Sequence, residues 1–223
     1  VNFFKFSSVT KTTNSKITNY YKMKFLNKFT TTLAVTIFAL SSIALTKYAA
    51  TSWTIDKAHS AVNFEVTHFF TPVNGEFNNY EATVNFDPEN LEESMIDVKI
   101  MVNSIDTDNE RRDGHLKTAD FFNAEKWPHI TFKSSSIEKT GDNKFVANGT
   151  LTIKDVSKDV ALPFTLLGMK DNPMKENTIV AGITASTTVD RTDYTVGTGD
   201  WASDAVIGDE VTVDLNLELN SIK

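Results

Sequence analysis

His59, His68, His115 and His129 are the residues of this 223-residue chain best suited to acid/base or metal chemistry. No two stand at the three-to-five spacing of a local zinc site, so a metal would have to be assembled across strands. Satisfied or exposed histidines are the commoner case. The chain has no H-E-x-x-H, G-x-S-x-G, Walker or dinucleotide fingerprint. Asp106, Asp108 and Asp113 hint at a calcium loop, but the glycine and the closing glutamate stand in the wrong places. Asn148-Gly149-Thr150 fits a glycosylation acceptor, yet it falls within a strand and the pattern is common. Cysteine is absent, which excludes disulfides, a thiolate nucleophile, Cys-ligated metal and a lipid-modified N-terminal cysteine. No metal, cofactor or catalytic residue is assigned on these grounds.

What remains is a cluster of polar groups. Arg111, Arg112, Asp113 and His115 lie in the most charged stretch, Ile105 to Ser134. They could meet Asp56, His59 and Ser60 from an early strand, and Arg191 and Asp193 from the turn Arg191-Thr192-Asp193-Tyr194. Two uses fit these residue types. One is an ion-paired network that pins the stretch to a rim; the other is a polar collar at the mouth of an apolar cavity, holding the polar end of a lipid. Both stay open, and different residues can serve each.

The elements that must place these groups follow from pattern. Thr107-Asp108-Asn109-Glu110 has the spacing of a capping box and predicts a short helix. Arg111 and His115 then share one face, beside a stripe of Arg112, Leu116 and Ala119. Trp127-Pro128 ends any helix. The stretch reads as a helical flap with an aromatic hinge of Phe121, Phe122 and Trp127.

Elsewhere the period is two. Val62 to His68, Tyr80 to Phe86, Ile96 to Val102, Ile130 to Ser134, Phe145 to Ile153, Val160 to Leu166, Ile179 to Ala185 and Val211 to Leu219 each alternate dry and wet faces. Val73 to Phe77 reads as a turn. Eight such strands joined by short turns imply an all-β, antiparallel fold, and they can close into a barrel with an apolar interior; a two-layer sandwich is the alternative. Gly149, Ala147, Ala181, Ala185 and Ser134 put small residues on the dry face and suggest a cavity, although 16 phenylalanines could fill it. Inward Phe64, Val66, Val98, Ile100, Phe132, Leu151, Phe164 and Leu215 would line the site of an apolar tail.

Charge and the N-terminal segment bear on partners and location. All 29 acidic residues follow position 50, where they meet 15 basic ones, so residues 51–223 carry a net −14. That balance argues against a nucleic-acid partner, which would want a basic stripe, and reads as a solubilised surface. Residues 1–22 read as an upstream extension. Residues 23–50 read as a signal peptide, with a basic run from Met23 to Lys28 and an apolar run from Leu33 to Leu45 too short for a membrane span. Its removal would leave no stable membrane span and a secreted domain over 51–223.

The ordered motifs resemble one family. Trp53-Thr54-Ile55-Asp56-Lys57-Ala58-His59-Ser60-Ala61-Val62-Asn63-Phe64-Glu65-Val66-Thr67-His68 is similar to the opening signature of the YceI-like proteins. Gly75-Glu76-Phe77, Arg112-Asp113-Gly114-His115-Leu116-Lys117-Thr118-Ala119-Asp120-Phe121-Phe122, Trp127-Pro128, Ile130-Thr131-Phe132-Lys133-Ser134 and Gly149-Thr150-Leu151-Thr152-Ile153-Lys154 continue it in order. The resemblance covers about 51–220. It implies an eight-stranded, lipocalin-like barrel with a short helical flap, holding a polyisoprenoid or similar long-chain amphiphile in the periplasm and transforming nothing. Asp155 and Thr195 each stand where the family usually has glycine, and Thr195 lies close to Arg191 and Asp193.

The expected function is therefore a periplasmic carrier or sequestering protein for an isoprenoid or fatty-acyl-like lipid, with a homodimer left open. His59, Arg111, Arg112, Asp113, His115, Arg191 and Asp193 would form the polar mouth. The rival readings are an enzyme acting on such a lipid through His115, Asp113 and His59, and a stress-related structural protein with a solid core.

Overall fold

The computed structural model describes residues 48–223. The expected upstream extension and all but the last three residues of the expected signal peptide lie outside the described residues.

Eleven strands make eight staves of an antiparallel barrel. Three staves are broken in two. β1 (Ser52–Ile55) continues as β2 (Ala61–His68), β3 (Thr71–Phe77) as β4 (Tyr80–Asn85), and β5 (Met95–Met101) as the two-residue β6 (Ile105–Asp106). β7 (His129–Gly141), β8 (Lys144–Ile153), β9 (Val156–Asp171), β10 (Thr178–Asp190) and β11 (Ile207–Ile222) are continuous. β1 closes the ring by pairing with β4 (Trp53↔Val84) and with β11 (Ile55↔Leu219). Past β1 the sheet runs on through β11, β2, β3 and β6. The short helix α1 (Glu110–Leu116) follows β6.

The break between β1 and β2 has a local cause. Asp56 caps a one-turn 3-10 helix, Lys57–His59, by accepting the Ala58 amide at 3.0 Å. Across the break, Asp56 N donates to Glu218 O at 2.8 Å and Glu218 N donates to Ser60 Oγ at 2.9 Å, so β11 bridges the interruption. A second irregularity matters more for function. The β9–β10 ladder runs only from Asp171↔Ile179 to Phe164↔Ala185. Pro163, which has no amide to donate, stands where it stops. Residues 156–163 and 186–190 therefore face each other unpaired.

One end of the barrel is sealed. Phe86, Phe145 and Phe164 pack with ring centroids 5.1 to 5.4 Å apart, the first edge-on to the other two. Trp53 Nε1 donates to Phe86 O at 2.8 Å and locks this plug to β1. Val102, Ile105, Phe121, Ile130 and Tyr194 form a second cluster around the other end.

The structure corrects four local expectations. Val73 to Phe77 is strand rather than turn. β1 has no counterpart among the predicted strands. Asn109, not Thr107, caps α1, accepting the Arg112 amide at 3.0 Å. Of the small inward residues, only Ala185 borders the cavity described below. Gly149 is needed for close approach, since a Cβ there would fall 2.4 Å from Lys133 O and 2.8 Å from the Phe132 ring. Ser134 accepts the Ile96 amide at 2.8 Å, and Ala147 and Ala181 are packed in the core.

Phe145 is 1% exposed at the centre of the plug. Phe145→Ala should lower stability by about 3 to 5 kcal/mol in chemical denaturation, from lost burial plus the cavity left behind.

Candidate functional site

Between the phenylalanine plug and α1 lies a cavity of 1030 Å³. That volume is at the upper end for a small-molecule site, and the wall is overwhelmingly hydrocarbon. Every stave contributes. Phe64 and Val66 come from β2, Val98 and Ile100 from β5, Phe132 from β7, Leu151 from β8, Phe164 from β9 and Leu215 from β11, so the structure places all eight expected tail residues on the wall. Period-two alternation explains this, since a closed ring sends every dry face to one interior.

Exposed residues that also line the cavity mark where it reaches solvent. Asn109 and Arg111 do so at α1, His68 at the end of β2, and Ala161 and Thr188 along the unpaired stretch of β9 and β10. The cavity thus has an end mouth and a side opening.

The seven expected mouth residues divide into three groups. Arg111, Arg112 and His115 line the cavity. Arg111 makes no hydrogen bond or ion pair among the described residues, so its donors are unspent. Arg112 gives Nε to Thr107 Oγ1 at 2.7 Å and Nη2 to Thr107 O at 2.6 Å, leaving Nη1 free. His115 Nε2 lies 3.1 Å from Asp120 Oδ2, and its ring meets Phe121 and Trp201 edge-on at 5.0 and 5.1 Å.

Arg191 borders the cavity but is spent. It is 5% exposed and makes five hydrogen bonds: Nε to Gly208 O, Nη1 to Val196 O and Trp201 O, and Nη2 to Ile207 O and Asp209 Oδ1, all 2.9 to 3.0 Å. Its five N–H groups are all used, so it staples the loop of residues 192–206 to β11 and has nothing left for a ligand. Gly197, at φ +83°, lets the guanidinium in, since a Cβ would lie 2.4 Å from Nη1.

His59, Asp113 and Asp193 do not line the cavity. Asp113 is the buried residue of α1, and its Oδ1 accepts Thr107 N at 3.0 Å and Thr107 Oγ1 at 2.5 Å. Asp193 pairs with Lys158 Nζ at 2.6 Å and ties the loop to β9. His59 lies on the outer surface at the β1–β2 break, 3.1 Å from Asp56 Oδ2 and 3.9 Å from Glu218 Oε1. Asp56, His59 and Glu218 could hold a metal by spacing, with ligand atoms within 4.8 Å of one another, but His59 is exposed and its Nδ1 already meets the Asp56 carboxylate. The hydrogen bond from His59 and the Ala58 amide lower the Asp56 pKa, and the same bond with the charges of Asp56 and Glu218 raises that of His59.

Trp201 and Tyr80 are among the lining residues left off the expected site. Trp201 lines the cavity from a loop with no periodicity; a lone tryptophan between Gly199-Asp200 and Ala202-Ser203-Asp204 was the available signal. Tyr80 lines it from β4, and its hydroxyl has no partner among the described residues. Burial, then the Glu76 charge, raises its pKa and keeps it protonated.

The fold and cavity define a class: a closed antiparallel β-barrel with a hollow, apolar, ligand-sized interior. Residues 53–219 match the YceI-like domain. The chain belongs to the YceI-like family. Protein YceI of Salmonella arizonae is 37% identical over 141 residues, which is 61% of this chain and 73% of that protein. Among solved structures, BcnA of Burkholderia cenocepacia superposes with a TM-score of 0.66 at 28% identity, covering 74% of this chain and 99% of the other. The YceI protein of Campylobacter jejuni gives 0.61 at 33% identity, covering 76% and 98%. A polyisoprenoid binding domain from Saccharophagus degradans gives 0.57 at 14% identity over 77% and 99%, which is a likeness of fold alone.

The two departures from the family pattern have different structural meanings. At the β8–β9 turn Lys154, not Asp155, carries the positive φ of 58°, so glycine's freedom is not needed at 155. Thr195 has φ 55° and ψ 33°, a left-handed conformation costly for a β-branched residue. Thr195→Gly should therefore raise stability by about 1 kcal/mol in thermal unfolding, with the bond from Lys154 Nζ to Thr195 O retained. His59 should titrate above 6.5 by NMR, and Asp56→Asn should return it toward that value. The charged pair persists between the lowered Asp56 pKa and the raised His59 pKa. It weakens as pH rises through the latter or falls through the former.

Proposed function

We propose that this protein holds a polyisoprenoid or a similar long-chain amphiphile in the barrel, sequestering or carrying it without chemical change. The observation that carries the reading is a 1030 Å³ apolar cavity that the chain's own side chains seal at one end and leave unfilled. Each buried methylene contributes about 0.8 kcal/mol, so a chain of many carbons binds tightly with little need for head-group contacts. The fold shared with a polyisoprenoid binding domain supports the ligand class.

The unspent donors of Arg111 and Arg112 suit a hydrogen-bond-accepting head at the mouth, with the tail running toward Phe132 and Phe164. An acid/base enzyme using His115, Asp113 and His59 is disfavoured by geometry, because only His115 of the three lines the cavity. The basic and apolar runs of residues 23–45 support export to the periplasm. No helix among the described residues is long and apolar enough to cross a membrane.

Mass spectrometry of an organic extract of the purified protein should find a long-chain lipid, and delipidated protein should take up added prenyl alcohol. Ala185→Phe places a ring into the cavity wall and should cut uptake about tenfold or more while circular dichroism stays unchanged. A lipid-free extract together with no uptake would overturn the reading.

A further inference from the structure

The hairpin joining β2 to β3 ends in two side chains that the barrel does not use. Phe70 is 98% exposed and Phe69 57%. Neither ring lines the cavity, and the ring contact at the tip is His68 edge-on to Phe69 at 4.7 Å. Phe69 also has φ 53°, a left-handed backbone that asparagine or glycine adopts at lower cost than an aromatic residue. In water, then, the two exposed rings are unfavourable, and the backbone at Phe69 is strained in any solvent. Its sequence makes sense where the rings are covered.

The surroundings indicate by what. From Thr67 to Asn74 the chain has no Asp, Glu, Lys or Arg. The segment that backs the tip is uncharged from Ala205 to Gly208, where Phe69 N donates to Val206 O at 2.8 Å and His68 pairs with Ile207, and carboxylates, Asp204 and Asp209, flank it on both sides. Within a domain of net −14 this is a small neutral, apolar tip with an acidic border. It adjoins the end mouth, because His68 is both exposed and part of the cavity lining, and Val66, Val73 and Ile207 line the cavity on either side of the tip.

We propose that the Phe69-Phe70 tip is a membrane-docking wedge. It buries both rings in the interface of an uncharged bilayer and sets the end mouth against the lipid from which cargo is drawn. The acidic body makes anionic bilayers the poorer surface. This inference rests on the lipid-binding reading above, and the two are tested separately.

The chain as recovered from its host is floated with phosphatidylcholine vesicles, beside Phe70→Ser and the double variant Phe69→Ser/Phe70→Ser. The wild type should float, the double variant should bind about tenfold or more weakly, and added phosphatidylglycerol should weaken wild-type binding. Transfer of a fluorescent prenyl alcohol out of vesicles should slow in step, while uptake of the same probe from dilute solution stays unchanged, since neither ring lines the cavity. Phe70→Trp should shift its emission to the blue on adding vesicles.

Equal flotation of wild type and double variant, with no blue shift, overturns the wedge. So does sedimentation showing that the rings join two copies of the chain while vesicle binding is unaffected by their removal. Failure of wild-type uptake from solution would instead overturn the lipid-binding reading, and flotation would still decide the wedge.

Discussion

Four residues complete the barrel. Ser52–Ile55 pair with β4 on one side and β11 on the other, and without them those two staves would present unpaired edges at the sealed end. The same strand supplies Trp53, whose indole bond to the Phe86 carbonyl holds the aromatic plug in register. Closure explains why the interior can remain hollow. A sandwich must fill the space between its sheets with side chains, whereas a ring of hydrogen bonds supports its own wall. The plug contributes a packed core at one end, and the remaining length needs no further filling to stand.

The polar groups near the open end serve two different purposes, and hydrogen-bond capacity separates them. The loop of residues 192–206 has little regular structure, so its carbonyls need donors from elsewhere. Arg191 meets that need at Val196 O and Trp201 O through Nη1 and anchors itself on β11 with its other three N–H groups, while Asp193 and Lys154 tie the loop to β9 and to the β8–β9 turn. Asp113 and Thr107 do the same for α1. Arg111, by contrast, has no partner among the described residues and reaches the cavity. The network and collar readings both describe this region, with different residues in each.

How legible this was depended on whether a signal was local. The eight staves and their inward faces followed from alternation alone, and the motifs from Trp53 onward pointed to the right family. The expected helix overran the observed one at both ends, since Ala119 lies past Leu116, and its cap was moved by tertiary bonding: Thr107 had the right chemistry and was drawn to the Asp113 carboxylate, leaving Asn109 to accept the Arg112 amide. Gly149 was a plausible void in one dimension, yet it is filled by the Phe132 ring and the β7 backbone. The unpaired stretch between β9 and β10 had one hint, Pro163, which taken by itself says only that some amide is missing.

Residue order determined which side chains turn inward and how many staves must share them, because side-chain direction in a strand is a property of adjacent residues. It also set the charge-free run around Phe69 and Phe70. Only the tertiary structure decided that the ring closes through β1, that three phenylalanines meet to seal one end while the rest stays open, and that Arg191 is spent while Arg111 is not. Those outcomes depend on distances between residues far apart in the chain, and period and composition carry no measure of such distances.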